Sequence, residues 1–402
     1  MTVTAPVSLT HFSPDDLRRE FRRRFNAEPR IFRAPGRVNL IGEHTDYNEG
    51  LVMPAALEFS TWAAVAPSRD GKLHIASLNL NEERRFEIAD GTPARNWTDY
   101  VRGVDVTLRQ AGHDIPAASI LVWGNVPLGS GLSSSASLEV AACLALLALE
   151  GTALSGTEIA HLCQRAENEF VGARCGIMDQ FIAVHGHTGK AIMLDCRSLE
   201  YELRPVPTQV AIVITNSMVK HELAAGEYNK RRAECEAGVR ILRRSLPEVL
   251  TLRDVSIEQL ERHKKEMPEV IYRRCRHVVS ENARVLQFAQ ALKSGDLQRA
   301  GESMWASHAS LRDDYQVSCR ELDLLVEIAA GAGAIGSRMT GGGFGGCTVS
   351  LVKQENVERF RGEVMEKYES AVSIKPEIYV TQAGDGAGEV NLEAQGHKRD
   401  AE

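Results

Sequence analysis

The sequence predicts an α/β (α+β) fold in two domains, and three observations carry that expectation. At 402 residues the chain is long enough for two packed domains of ordinary size. From Ile31 to about Leu203 short β-rich runs alternate with helical ones, which reads as one α/β unit. Val210-Ala-Ile-Val-Ile-Thr-Asn opens a second block of strand and long charged helices, with Pro205 and Pro207 punctuating the join. We expect a first domain over 1–205, a second over 206–382, and a tail over 383–402 polar enough to be disordered.

Each element has a local reason. Ser13-Pro14-Asp15-Asp16 sets a capping residue, a first-turn proline and early acids ahead of Leu17, Phe21 and Phe25, and predicts a helix. Its arginines, from Arg18 to Arg24, read as a solvated face. Strands are expected at Ser60–Pro67, Ser119–Trp123 and Ala191–Leu194, and helices at Trp97–Gln110, Ser137–Leu149 and Gly156–Phe170. In the second block, helices are expected at Tyr228–Leu246 and Glu266–Gly295, a glycine-dense loop at 341–346, and a last strand at Glu377–Thr381.

Composition narrows the function. A net charge of −7 gives no general attraction for nucleic acid or an anionic membrane, so an anionic substrate has to be held by local groups. Eight scattered cysteines, none at Cys-x-x-Cys spacing, read as reduced thiols in a cytoplasm and not as a zinc site. The first residues lack the basic and apolar regions of a secretory signal, and the longest apolar run, Val140 to Leu149, is half of the ~20 residues that cross a bilayer.

Four segments carry chemistry. In Ser119–Ala142 a strand runs through Gly129 and Gly131 into three serines and an apolar helix; a helix N-terminus with unpaired N–H groups, approached over glycines, cradles phosphate. One cap needs one serine, and Ser130 to Ser137 hold five. No P-loop lysine is present, so the charge of a phosphate chain calls for Mg²⁺, with Ser134 and Glu167 as candidate oxygens. The segment Arg33–Val52 gathers Arg37, Glu43, His44 and Asp46 among turn residues, as a polyhydroxylated ligand requires, although Glu-His-x-Asp also suits a metal or plain loop polarity. Asp179 lies among apolar neighbours after Gly172 and Gly176, where it could take a hydroxyl proton or pair with an arginine for structure. Five glycines within 341–346 imply backbone close to a ligand or sharp turns.

Together these segments resemble the galactokinases of the GHMP kinase superfamily. Gly36-Arg-Val-Asn-Leu-Ile-Gly-Glu-His-Thr-Asp-Tyr-Asn48 is similar to the galactokinase signature, Pro127–Ala136 resembles the superfamily phosphate motif, and Thr340–Gly346 its third motif. The resemblance implies a GHMP-kinase-like two-domain fold with the active site between the domains, a final strand returning to the first domain, and transfer of the ATP γ-phosphoryl group to the C1 hydroxyl of galactose. It implies Asp179 as catalytic base and Arg37 as the residue that pairs with it and polarises the acceptor oxygen. Glu43, His44, Thr45, Asp46, Gly176 and Tyr228 would bind the sugar. ATP would lie on Gly129, Ser130, Gly131, Leu132, Ser133, Ser134, Ser135 and Ala136, with Gly342 and Gly343 nearby, Trp97 and Tyr100 near the adenine, and Mg²⁺ on Ser134 and Glu167. A monomer is expected, with galactose and ATP as its partners.

One departure is Ser130, where many members carry glycine. Two other readings compete, a kinase for another sugar such as N-acetylgalactosamine and a non-catalytic galactose and ATP sensor. The intact His44–Asn48 stretch weighs against the first, and intact Ser133–Ser137 with Asp179 against the second.

Overall fold

A computed structural model describes residues 12–88, 90–127, 129–220 and 224–391. The helix predicted at Ser13 spans Pro14–Phe25, with Ser13 and Asp16 forming a reciprocal capping box and Leu17 and Phe21 fully buried. Its arginines pair with Asp16, Glu20 and Glu28, which makes them the solvated, self-neutralised face expected.

Two main sheets organise the chain. The first runs in the order Gly388–Glu389, Arg30–Asn39, Pro54–Pro67, Ala118–Gly124, Leu73–Ser77, Glu82–Phe86. All its pairs are antiparallel except Leu73–Ser77 with Ala118–Gly124. Helix Ser134–Glu150, rich in alanine and leucine, packs its buried residues on one face beside Asp99–Gln110 and Gly156–Arg165, and Pro14–Phe25 covers the other. The second sheet is antiparallel in the order Gly336–Thr340, Gly345–Lys353, Val210–Lys220, Glu377–Thr381. Helices Arg320–Gly331 and Val357–Val372 cover one of its faces. Its other face shares a core with the segment around Val38–Leu57 and with helices Glu269–Ser294 and Leu297–Ser310, so apolar packing runs without interruption between the two halves. Leu51–Val52, Lys190–Asp195 and Tyr201–Pro205 form a small third sheet. No helix among the described residues is long and apolar enough to cross a membrane.

Two expectations need correction. The helix expected over Gly156–Phe170 is α-helical only to Arg165; Ala166–Val171 widens into a π-helical turn, a form that recurs at functional sites, and Glu167 stands on it. The tail expected from residue 383 is packed as far as 391, and 392–402 lie outside the described residues. Glu377–Thr381 stays in the second sheet, and it is the chain after it that returns to the first. Its polar composition misleads because backbone bonds hold it: Gly384 N–H donates to Ala56 O and Gly386 N–H to Gly186 O, both at 2.8 Å. A side chain at Gly386 would meet Val184 O at 2.1 Å, so the glycine allows the close approach.

Candidate active site

Beyond strand Arg30–Asn39 the chain turns back through Gly42 (φ +96°) and His44 (φ +62°). One helix, Glu269–Ser294, grips this loop by its backbone. Glu281 Oε1 accepts from Gly42 N–H at 3.0 Å, His277 Nε2 donates to Glu43 O at 3.1 Å, and Asn282 Oδ1 accepts from Leu51 N–H at 2.8 Å. Burial pushes the Glu281 carboxyl up, but Arg284, His277 and Arg338 outweigh it and bring it down to about 2. The loop is thus fixed by a buried anion from the other half of the chain.

Glu43, His44 and Asp46 border a cavity of about 680 Å³, together with Arg37, Gly176, Asp179 and Tyr228. Thr45 does not join them: its hydroxyl lies within hydrogen-bond reach of Gly42 O (2.8 Å) and Leu51 O (2.7 Å) and braces the loop. Glu43 is held by Asn39 Nδ2 (3.0 Å), Arg338 Nη2 (2.6 Å) and Gly341 N–H (2.7 Å), tying the loop to the third motif. Burial lowers His44 to about 3, so its ring is neutral. Burial, with the charges of Asp179 and Glu43, raises Asp46 to about 7. A Cβ at Gly176 would lie 2.0 Å from Asp46 Oδ2, so any side chain there has to displace the Asp46 carboxylate.

Arg37 and Asp179, 142 residues apart, meet in a two-pronged ion pair: Nε donates to Oδ1 at 2.8 Å and Nη2 to Oδ2 at 2.6 Å. Arg37 Nη1 also donates to Gly131 O at 2.6 Å, and the Ser133 hydroxyl donates to Asp179 Oδ2. The carboxylate is therefore fixed beside the start of the phosphate loop. Ser133, at φ +59°, makes no side-chain cap on helix Ser134–Glu150, which leaves first-turn N–H groups available to an anion. Ser130 is buried, donating to Pro127 O at 2.7 Å; Leu132 and Ala136 are buried too, and Leu132 O accepts Arg37 N–H at 3.0 Å.

The glycines of the third motif serve a contact between two backbones. A Cβ on Gly341 would stand 2.9 Å from Gly131 O, and one on Gly346 3.1 Å from Ser130 O. Gly342 lies beside the Tyr228 ring on the cavity wall, and Gly343 abuts Val317 O. A smaller cavity of about 160 Å³ is lined by Trp97, Trp123 and Leu138, and shares Tyr100 and Ser135 with the larger one. The Trp97 indole donates to Glu82 at 3.0 Å.

Of the two serines at the helix start, Ser135 and not Ser134 acts on Glu167, where its hydroxyl favours the charged form. Ser134 borders the smaller cavity. Glu167 is buried, and burial together with the charge of Asp179 raises its carboxyl. Gln180 Nε2 bridges it to Glu139, at 2.6 Å to Glu167 and 3.0 Å to Glu139, while Glu139 Oε1 is buried without a partner. These oxygens suit a hard divalent cation that keeps most of its water. The arginines lining the larger cavity, Arg37 and Arg174, are each paired with a carboxylate, Asp179 and Glu236 respectively. Sequence reasoning missed Glu139, Gln180, Arg338 and Tyr47. Two of them had a signal: Glu139 is the one charged residue between Ser133 and Leu149, and Tyr47 stands inside the Gly36–Asn48 stretch.

The galactokinase galactose-binding signature matches residues 19–67, the GHMP kinases N terminal domain residues 99–187, and the GHMP kinases C terminal domain residues 288–370. A galactokinase of Roseiflexus sp. (strain RS-1) is 48% identical over 378 residues, covering 93% of this chain and 97% of that protein. The chain belongs to the galactokinase family. It is an ATP-dependent sugar kinase with the two-domain GHMP kinase fold. The crystal structure of Lactococcus lactis galactokinase complexed with galactose superposes with a TM-score of 0.90 at 37% identity, covering 94% of this chain and 99% of that one. Methanococcus jannaschii mevalonate kinase, at 17% identity and a TM-score of 0.61 over 89% of this chain and 99% of its own, shares the fold.

Proposed function

We propose that this galactokinase-family chain transfers the γ-phosphoryl group of ATP to the C1 hydroxyl of galactose, giving galactose 1-phosphate and ADP. The observation that carries the reading is the Arg37–Asp179 pair, set between the signature loop and the serine loop on the wall of one cavity. Phosphoryl transfer depends mostly on positioning and charge neutralisation, and this arrangement supplies both. Asp179 takes or orients the acceptor proton while Arg37 polarises the oxygen. Glu43, His44, Asp46, the Gly176 backbone and Tyr228 hold the sugar. The loop Gly129–Ala136 receives the phosphates, with Gly342 and Gly343 opposite, and Trp97 and Tyr100 flank the nucleoside. Thr45 supports the loop without touching the ligand.

Glu167 and Ser135 would hold Mg²⁺, with Ser134 on the nucleotide side. When bound, the metal neutralises the phosphate oxygens and orients the leaving group. The domain boundary near residue 205 fits the change from the third sheet to the second. We further infer a monomer and a cytoplasmic location, the latter in keeping with eight free thiols.

The test is to incubate the protein with Mg²⁺-ATP and either galactose or glucose and to quantify sugar 1-phosphate and ADP. Galactose is expected to be converted and glucose hardly at all, because a misplaced hydroxyl leaves buried polar groups unpaired at roughly 1–3 kcal/mol each. No product from galactose, or comparable kcat/KM for the two sugars, refutes it.

A further inference from the structure

We propose that the hydroxyls of Tyr47 and Tyr315 hold the proton of His44 on Nε2, so that the ring presents an N–H donor to a hydroxyl oxygen of the bound sugar. The proposal rests on the galactose reading above. His44 Nδ1 lies 2.8 Å from Tyr47 OH, which lies 2.7 Å from Tyr315 OH, which in turn lies 3.2 Å from Cys235 Sγ. The rings are packed as well as bonded: His44 and Tyr315 are 4.8 Å apart by ring centres, and Tyr315 and His277 4.5 Å. The His44 ring borders the sugar cavity; its Nε2 is buried without a hydrogen-bond partner of good geometry, and the Gly342 backbone faces the ring as a looser acceptor for an N–H, one that a sugar hydroxyl would replace or share.

Being neutral, the ring carries one proton on two nitrogens. The chain of groups allows two consistent directions. In the first, the Cys235 thiol donates to Tyr315, Tyr315 to Tyr47, and Tyr47 to Nδ1, which leaves the proton on Nε2. In the second every donor reverses, Nδ1 gives its proton to a phenol oxygen, and the chain ends with a phenol donating to sulfur. Imidazole nitrogen is a better acceptor than phenol oxygen, and sulfur is a weak one, so the first direction prevails. A sugar hydroxyl gives one hydrogen bond and accepts others. The carboxylates of Glu43 and Asp179 on the same wall are acceptors, and His44 Nε2–H supplies the complementary donor. Tyr47 and Tyr315 are thus positioning residues, acting on the sugar through His44.

The experiment is ring-¹⁵N NMR of the full chain with labelled histidine, with and without galactose, the His44 signals being assigned by their loss in His44→Gln. In the parent protein we expect the proton on Nε2 in both states. Tyr47→Phe keeps the ring and removes the hydroxyl; the proton should spread over both nitrogens, and KM for galactose should rise about tenfold with KM for ATP within about twofold of the parent. Tyr315→Phe should shift both readouts the same way by less, and thermal midpoints check that each variant folds. A proton on Nδ1 in the parent, or unchanged galactose KM and tautomer in Tyr47→Phe, overturns the proposal. If the parent shows Nε2–H but phosphorylates no galactose, the substrate reading fails and the tautomer assignment stands.

Discussion

Asp46→Asn is expected to make the free protein more stable at neutral pH while weakening its hold on galactose. Asp46, partly buried, stands beside Asp179 and Glu43, and its carboxyl is raised to about 7 from an ordinary value of 3.8. The gap is ~3 units, and at ~1.36 kcal/mol per unit the ionised form costs the free fold about 4 kcal/mol above pH 7. The folded carboxyl lies above the unfolded one, so the folded chain binds the extra proton between these values. Stability therefore falls as pH rises through that window and levels off beyond it. Asparagine keeps the oxygen that accepts Tyr47 N–H at 2.9 Å and cannot ionise. In urea unfolding without sugar, the variant's stability relative to the parent should grow by about 2–3 kcal/mol between pH 5 and pH 8. Galactose affinity should fall roughly 10- to 100-fold, as for the loss of a hydrogen bond to a charged group, with ATP binding kept. Parallel pH curves, or a relative stability that declines as pH rises, would refute the reasoning.

Three further outcomes follow from the same geometry. Ser135→Ala should raise the Mg²⁺ concentration needed for half-maximal rate roughly tenfold, and Ser134→Ala should affect KM for ATP instead; Mg²⁺ titrations of both variants check this, and the reverse pattern contradicts it. Gly176→Ala forces its Cβ onto Asp46 Oδ2, so steady-state kinetics should show galactose KM rising well before ATP KM. Glu281→Ala leaves Gly42 N–H, the Ser307 hydroxyl and Arg284 without their acceptor, and should cost about 3–5 kcal/mol in denaturant unfolding.

The parts of the site that were legible in the sequence are those where backbone has to come close to something. Gly129 and Gly131, the serines that follow and the glycines at 341–346 are unusual residues in unusual density, and the structure brings these two stretches together backbone to backbone. Sequence alone leaves Asp179 open between a proton acceptor and a structural ion pair; in the structure the contacts of the Arg37–Asp179 pair to Gly131 and Ser133 link it to the phosphate loop. What stayed hidden depends on long-range packing. His277, Glu281 and Asn282 read as ordinary positions of a charged helix, and only the fold reveals that they carry the signature loop. Tyr315 lies on a π-helical turn, Leu311–Tyr315, with no motif around it. The choice between Ser134 and Ser135 turns on about 100° of helix rotation, which residue type cannot report. Polarity alone gave the wrong expectation for residues 383–391, because a strap held by backbone bonds needs few apolar side chains.

The central claim is that Asp179 acts on the acceptor hydroxyl, and the most direct measurement is the single-turnover rate of Asp179→Asn with galactose and Mg²⁺-ATP, taken beside its thermal midpoint and its affinity for both ligands. Asparagine keeps the size of the side chain and removes the charge that can hold a proton. The account predicts a variant that folds, binds galactose and ATP, and transfers phosphate ~10²-fold more slowly or worse, the range a positioned base contributes. A variant that phosphorylates galactose near the parent rate, or one that loses its fold because the Arg37 pair was only a structural tie, contradicts it.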